Sequence, residues 1–298
     1  MRGNSRLRCF SKRRTRPAAQ RVRDDKPRNL CYTDFIQESS TRTGWSAGDF
    51  PEKGGLPVEK QLELRAGITL RQDSRFFALG EDTMLLSHFA APKMGGLGLD
   101  LGAGQGFLGI LVGLRRPDVR LQALELHPEA AGITADNAAR AGLTLPVTCC
   151  DLRQLPPELR DRFDFVLCNP PYFETSRGKT AAGALAEARS DAGASIFEVC
   201  AAAAKALKTG GRLYLCFPAS RLAGLFAALE QVGLAPKRLR FVHPRPQKEA
   251  NLVLLDAVRQ GGEGVTLLPP LYLRDEQNRL TPEYHEIYQM RTESEAGT

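Results

Sequence analysis

From about residue 64 the hydrophobic pattern becomes regular, and it switches between two periods. Short apolar runs read as buried strands: Leu97 to Leu101, Val119 to Glu125, Leu145 to Cys150, Phe163 to Cys168 and Arg212 to Phe217. Between them lie longer stretches with helical spacing: Phe107 to Leu114, Pro128 to Ala141, Ser195 to Leu207 and Ser220 to Gln231. Pro128 at a first helical position and Gly142 just past the end frame one helix, and Gly210-Gly211 are expected to stop another. Upstream, Gly67 to Gln72 suits a short strand. Asp82 ahead of an apolar run predicts a helix with Asp82 as its N-cap.

Alternation at this spacing predicts an α/β fold, a doubly wound Rossmann-like sheet with helices on both faces. Two last strand-like stretches, Arg238 to His243 and Ala250 to Val258, have no helix between them. They are expected to pair as an antiparallel hairpin at one edge, giving seven strands, mostly parallel. No internal repeat is visible.

Residues 1 to 60 show no such period. They are Arg-rich and then rich in Ser, Thr, Gly and Pro, a composition that buries too little apolar surface to offset its ordering entropy. A disordered basic tail over 1–60 and a single domain over 61–298 are therefore expected. An upstream start site, an RNA-binding arm or an organelle presequence would look the same.

Charge sharpens this division. The net charge is +7, yet residues 1–30 hold eleven Lys/Arg against Asp24 and Asp25, leaving the rest of the chain slightly acidic. The overall basic balance is thus weak evidence for nucleic-acid binding by the body. Seven cysteines without a Cys-x-x-Cys pair point away from zinc and disulfides and toward a reducing cytoplasm. No apolar run reaches the roughly 20 residues of a membrane span.

The first strand of the series runs into Asp100-Leu-Gly102-Ala-Gly104-Gln-Gly106. Glycines after a strand let the backbone turn sharply and approach a ligand. An acid two residues before the first glycine suits a cationic amino-acid moiety and would repel a pyrophosphate. The glycines also lack the spacing that brings a helix N-terminus up to phosphates. S-adenosylmethionine, with its ammonium and sulfonium, is the expected cofactor, and no metal is expected. Glu125, closing the next strand, is placed to accept ribose hydroxyls, and Asp151 after the third strand to meet an adenine amino group.

Asn169-Pro170-Pro171-Tyr172 follows the fourth strand. Consecutive prolines stiffen a loop and leave only carbonyl acceptors. The Asn169 side-chain oxygen and the Pro170 carbonyl are expected to accept the two N–H bonds of a planar amino group. That pushes its nitrogen toward tetrahedral geometry, and Tyr172 offers a stacking face for an extruded base. Alignment rather than a general base would carry the reaction.

These residues resemble amino-methyltransferases of the Asn/Asp-Pro-Pro-Tyr/Phe type. More narrowly, residues 64 to 289 resemble the bacterial tRNA1(Val) (adenine-37) N6-methyltransferase family, which pairs a Phe-x-Phe-Gly-Thr-Asp-x-x-Leu-Leu motif with the glycine loop and the Asn-Pro-Pro-Tyr-Phe loop. Here the first motif runs from Phe77 through Gly80, Glu81 and Asp82 to Leu86, with Glu81 in place of the family's Thr. Arg189-Ser190-Asp191 stands where the family has Arg-His-Glu. The resemblance implies N6-methylation of adenine in RNA, specifically tRNA beside the anticodon, and adds Asp82 to the cofactor residues. A monomer is expected.

Phe241 to Lys248, with Lys237, Arg238 and Arg240 before it, is the best basic patch of the body, equally readable as a phosphate grip or a solvated edge. Rival readings are a glutamine N5-methyltransferase of release factors, a guanine-N2 RNA methyltransferase, a non-catalytic RNA-binding protein and a nicotinamide dehydrogenase. The first carries a helical substrate domain before the catalytic one, which residues 1–60 do not resemble; the third would show decayed loops, and Asp100 argues against the last.

Overall fold

The structure is a computed structural model, and it describes residues 59–64, 67–170 and 194–288 together with the strand Leu30–Cys31. Three strands form a small sheet: β1 (Leu30–Cys31), β2 (Glu59–Glu63) and β3 (Thr69–Asp73), with β2 and β3 antiparallel. The second, larger sheet contains β4 (Leu97–Leu101), β5 (Arg120–Glu125), β6 (Val147–Cys149), β7 (Phe163–Cys168), β8 (Leu207–Pro218), β9 (Leu234–His243), β10 (Leu252–Arg259), β11 (Thr266–Leu267) and β12 (Leu271–Tyr272).

Its strand order is β11-β9-β10-β8-β7-β4-β5-β6, with β12 also on β9. Strands β8, β7, β4, β5 and β6 are mutually parallel. β10 runs antiparallel between β8 and β9, so the expected hairpin is present with its second strand innermost. Two short strands on β9 raise the expected seven to nine. The order reverses between β4 and β7, and such a switch point opens a crevice at the carboxyl ends of the strands.

The helices are α1 (Glu81–Phe89), α2 (Phe107–Arg115), α3 (Pro128–Arg140), α4 (Ile196–Ala206), α5 (Leu222–Gln231) and α6 (Pro282–Tyr288). Two apolar cores form. One gathers β2, β3, α1, α2 and α6, the other α4, α5 and the second face of the central strands. Fully buried β-strand residues such as Leu99 and Leu101 on one side and Phe165 and Leu167 on the other explain why these strands read as near-continuous apolar runs.

Two expectations need correction. The first helix begins at Glu81 with Gly80 at its N-cap, so Asp82 is a first-turn acid rather than the cap. Both positions favour an acid at the positive helix end, which is why the sequence signal is degenerate. Gly210-Gly211 do not stop α4; Leu207 turns extended and starts β8 directly. The glycines instead form an irregularity in the β7–β8 pairing, with Gly210 at φ 76°. A Cβ on Gly211 would lie 2.9 Å from the Lys208 carbonyl, so only glycine fits the bulge.

Candidate functional site

β4 delivers the glycine turn. Asp100 is 1% exposed, and its Oδ2 accepts the N–H of Gly109 at 2.8 Å, tying the strand to α2. A Cβ at Gly109 would sit 2.9 Å from that oxygen, so glycine is what lets the carboxylate reach the helix backbone. Burial pushes the Asp100 carboxyl up to about 7; the Gly109 N–H opposes this and nearby Glu125 adds to it.

Beyond Asp100 the backbone turns left-handed at Gly102, Gly104 and Gly106, with φ of 75°, 57° and 84°. Space is open where side chains on Gly102 and Gly104 would stand. The Gly102 and Ala103 amides donate to the Leu124 carbonyl at 2.8 and 3.0 Å. Glu125, buried at the end of β5, accepts the Gly104 N–H at 2.7 Å on Oε2 and the His127 N–H at 2.9 Å on Oε1. Its carboxylate therefore clamps the turn to the next strand end.

Three further side chains hold this turn, and the sequence reading singled out none of them. Gln105 is buried; its Oε1 accepts the Asp73 N–H at 2.7 Å while Nε2 donates to the carbonyls of Asp73 and Phe77. Asn137 on α3 accepts the Arg71 N–H and donates to the Arg71 and Gln105 carbonyls at 2.7–3.0 Å. Thr134, one turn earlier, donates to the Gly104 carbonyl at 2.8 Å. Two polar residues three apart on an Ala-rich buried helix face were the available signal, since buried polar groups are retained where they are bonded.

β7 delivers the second turn. In the β4–β7 pairing Gly98 lies opposite Phe165, Leu99 opposite Val166 and Asp100 opposite Leu167. Gly102 and Asn169 each stand two residues beyond the last of these pairs, so they follow the carboxyl ends of neighbouring parallel strands. Asn169 Nδ2 donates to Thr83 Oγ1 at 2.9 Å, and the Cys216 thiol donates to Asn169 Oδ1 at 3.0 Å. Pro170 is buried next to it. Pro171 and Tyr172, like Arg189, Ser190 and Asp191, lie outside the described residues. Thr83 comes from α1 and Cys216 from β8, so three elements meet at this amide.

Asp82 lies beside it. Its Oδ1 accepts the Thr83 N–H at 2.8 Å and is 3.5 Å from the Thr83 hydroxyl. Glu81, at the preceding position, accepts the Tyr284 hydroxyl from α6, and burial pushes its carboxyl up against that bond. Asp151 follows β6 and caps a 3-10 turn, Leu152–Gln154, by accepting the Arg153 N–H at 2.9 Å. The Arg153 guanidinium grips the same carboxylate and holds it below the usual range.

The basic patch divides. Lys237 donates to the carbonyls of residues 262–264. Arg238 pairs with the fully buried Asp256, with its guanidinium 4.8 Å from the Phe89 ring centre. Arg240 makes a two-pronged pair with Glu283. These three act within the chain. Arg245 and Lys248 lie in the turn between β9 and β10, and Leu252 pairs with Pro218 at the end of β8, so that turn shares the sheet end that carries Asn169. Among the described residues no cluster of His, Cys, Asp or Glu is arranged to hold a metal, and no helix is long and apolar enough to cross a membrane.

The chain is similar to known proteins. A protein of Enterobacter sp. (strain 638), described as a tRNA1(Val) (adenine(37)-N6)-methyltransferase, is 32% identical over 123 residues, covering 39% of the chain and 50% of the relative. A Porphyromonas gingivalis protein of the same description is 28% identical over 190 residues, 59% of the chain and 72% of the relative. The chain thus spans half of the first relative's length and more of the second's. The crystal structure of a predicted O-methyltransferase from Agrobacterium tumefaciens superposes with a TM-score of 0.57 at 23% identity, over 70% of the chain and 95% of that protein. That likeness concerns the fold. The match that decides membership is to the methyltransferase small domain over residues 81–232, a span from α1 past α5 that takes in both turns, and this chain belongs to that family.

Proposed function

We propose that this chain uses S-adenosylmethionine to methylate the N6 amino group of an adenine in RNA, with tRNA beside the anticodon as the substrate. The observation that carries the reading is the pairing of β4 with β7, which sends Gly102 and Asn169 out of the sheet together at the switch point. One turn suits the donor and the other the acceptor.

The residues present fit the cofactor. The space over Gly102 and Gly104 is a cradle that a Cβ would fill, and acids stand at the ends of three successive strands. S-adenosylmethionine, when bound, supplies a methyl group on a cationic sulfur. Asp82 and the turn above Asp100 serve its amino-acid end, Glu125 its ribose and Asp151 its adenine. The arrangement of Asp100 makes it a support beneath the turn, acting through α2 and β4.

On the acceptor side, Asn169 Oδ1 and the Pro170 carbonyl take the two N–H bonds of the target amino group. This draws the nitrogen lone pair out of conjugation and aims it across the crevice. S-adenosylmethionine held on the glycine turn would supply the methyl group to that nitrogen, and the extra amine proton would leave to solvent, since the methylated nitrogen is strongly acidic. Pro171 keeps the loop stiff, and Tyr172 stacks on the base. We place the catalytic domain over residues 61–298, with 1–60 as a basic tail, and expect a cytoplasmic monomer. The RNA assignment is supported by the descriptions of the relatives and by Arg245 and Lys248 on the catalytic rim.

Mass spectrometry of nucleosides from purified tRNA tests this. Cells without the gene should lose N6-methyladenosine from one tRNA and regain it with the wild-type gene. Unchanged N6-methyladenosine, with loss of another methylated nucleoside or of glutamine methylation in a release factor, would overturn the adenine assignment.

A further inference from the structure

We propose that Asp82, Thr83 and Cys216 form a directional hydrogen-bond chain that fixes which end of the Asn169 amide is oxygen and which is nitrogen, making them positioning residues for methyl transfer. The proposal rests on Asn169 being the residue that accepts the target amino group.

A carboxamide is nearly symmetric in shape, yet its two ends have opposite hydrogen-bonding character. Turned by 180°, Asn169 would present its own NH₂ to an incoming NH₂. The backbone does not choose between these states, because both fit the same volume. The neighbours must choose.

At the Nδ2 end stands the Thr83 hydroxyl, 2.9 Å away, and a hydroxyl can either donate or accept. Asp82 removes that ambiguity. Its carboxylate can only accept, and Oδ1 lies 3.5 Å from Thr83 Oγ1, longer than the roughly 2.5–3.0 Å of an ordinary O–H···O bond, so it draws the hydroxyl hydrogen by its charge. With its hydrogen drawn toward Asp82, the Thr83 oxygen offers a lone pair, and that calls for an N–H. At the other end the Cys216 sulfur, 3.0 Å from Oδ1, carries a thiol that donates more readily than it accepts. Both ends therefore favour one sense: carboxylate, hydroxyl, amide nitrogen, amide oxygen, thiol. An amide oxygen accommodates two donors, so holding the thiol is compatible with receiving a substrate N–H.

The setting gives the bias weight. Thr83 is 7% exposed and Cys216 fully buried, and a buried mismatch of donor against donor is far costlier than one in water. The members come from α1, β7 and β8, and the β7–β8 register, with Cys168 opposite Leu215, sends Asn169 out beside Cys216. The chain also gives Asp82 a task beside the reacting group, in addition to the cofactor role expected for it.

The test uses the full chain in two measurements. In the first, protein labelled with ¹⁵N at asparagine shows the Asn169 side-chain NH₂ signals, identified by their disappearance in Asn169→Ala. Thr83→Val, which removes the hydroxyl at nearly constant shape, should shift that pair, and Thr83→Ser should restore it. In the second, tritiated methyl transfer from S-adenosylmethionine is followed on bulk tRNA from cells lacking the gene. Thr83→Val should lower kcat about tenfold, the worth of one buried hydrogen bond, with KM for tRNA and affinity for S-adenosylhomocysteine little changed. Cys216→Ala should act in the same direction and Cys216→Ser should recover. Added to Asn169→Ala, Thr83→Val should do nothing more. An inactive Asn169→Ala beside a fully active Thr83→Val would overturn the chain, as would an unmoved NH₂ pair. A fully active Asn169→Ala would instead overturn the reading of Asn169, and the NMR result would still decide the orientation.

Discussion

The two turns that meet at the switch point are built on opposite plans. The glycine turn after β4 is held through its own backbone: Leu124, Glu125, Gln105, Thr134 and Asn137 bond to its amides and carbonyls or to the strand beside it. Among the described residues, Asn169 after β7 is bonded through its side chain, by groups 86 and 47 residues away in the sequence. A cofactor recognised in a fixed pose suits a rigid backbone surface. The acceptor role proposed for Asn169, in which one atom is presented in one sense, needs side-chain control. The contrast predicts that damage to the first turn lowers affinity and stability, while damage to the second lowers rate.

The largest expected effect is on rate. Asn169→Ala should reduce methyl transfer a hundredfold or more, on the order of what misalignment or loss of one reacting-centre contact costs. Affinity for S-adenosylhomocysteine, read by calorimetry, should stay within about threefold, below the ~1.4 kcal/mol that a tenfold change represents. Equal loss of both would erase the division between the turns.

Asp100 tests the first turn through pH. Its folded carboxyl titrates near 7, well above the ordinary carboxylate value of 3.8, because burial disfavours the charge. As pH rises, the unfolded chain loses this proton first. The stability associated with the neutral form is thus fully present below about pH 4 and lost as pH climbs through 7. The full swing is on the order of 4 kcal/mol. Asn at this position keeps an oxygen for the Gly109 N–H and cannot ionise. Urea unfolding of Asp100→Asn should therefore gain on wild type from pH 5 to 8, with the two curves converging in acid. Parallel curves would remove the neutral carboxyl from the account.

Gly106→Ala probes the same turn sterically. The new Cβ would stand 2.8 Å from Thr134 Cγ2 at φ 84°, so it meets both a clash and a left-handed backbone. About 2–4 kcal/mol of stability should be lost. Thr134→Ser removes that methyl and keeps the hydroxyl that bonds Gly104, so the double variant should recover part of the loss in a thermal melt. No recovery would assign the whole cost to φ.

The same contrast explains what was legible in the sequence. The glycine turn announces itself because its chemistry is local, with Asp100, Gly102, Gly104 and Gly106 in one heptapeptide. Asn169 and Pro170 are legible for the same reason. Thr83 and Cys216 were not, because nothing marks a lone Thr in a helix or a lone Cys in a strand until the β7–β8 register brings them to the amide. β2 escaped notice because Glu59–Glu63 carries one buried residue in five, too few for a strand pattern. Lys237, Arg238 and Arg240 left two readings open, because a run of bases gives no hint that Asp256, Glu283 and three carbonyls receive them.

The smallest effects should separate the two acids at the neighbouring strand ends. Glu125 and Asp151 look alike in sequence, but their carboxylates are committed differently. Glu125 bonds two backbone amides of the site itself, Gly104 and His127. Asp151 is engaged by Arg153, both backbone and guanidinium, in a partly exposed pair. Glu125→Gln replaces one accepting oxygen with an NH₂ that faces a backbone N–H, so S-adenosylhomocysteine affinity should fall about tenfold. Asp151→Asn keeps an oxygen toward the Arg153 amide and loses mainly an exposed ion pair, worth up to about 1 kcal/mol, so affinity should fall only about two- to threefold. Calorimetric titration of the two variants side by side reads the ranking directly. The reverse order would mean that the adenine end of the cofactor, rather than the clamp on Gly104, sets affinity, and that the backbone plan of the first turn extends no further than its glycines.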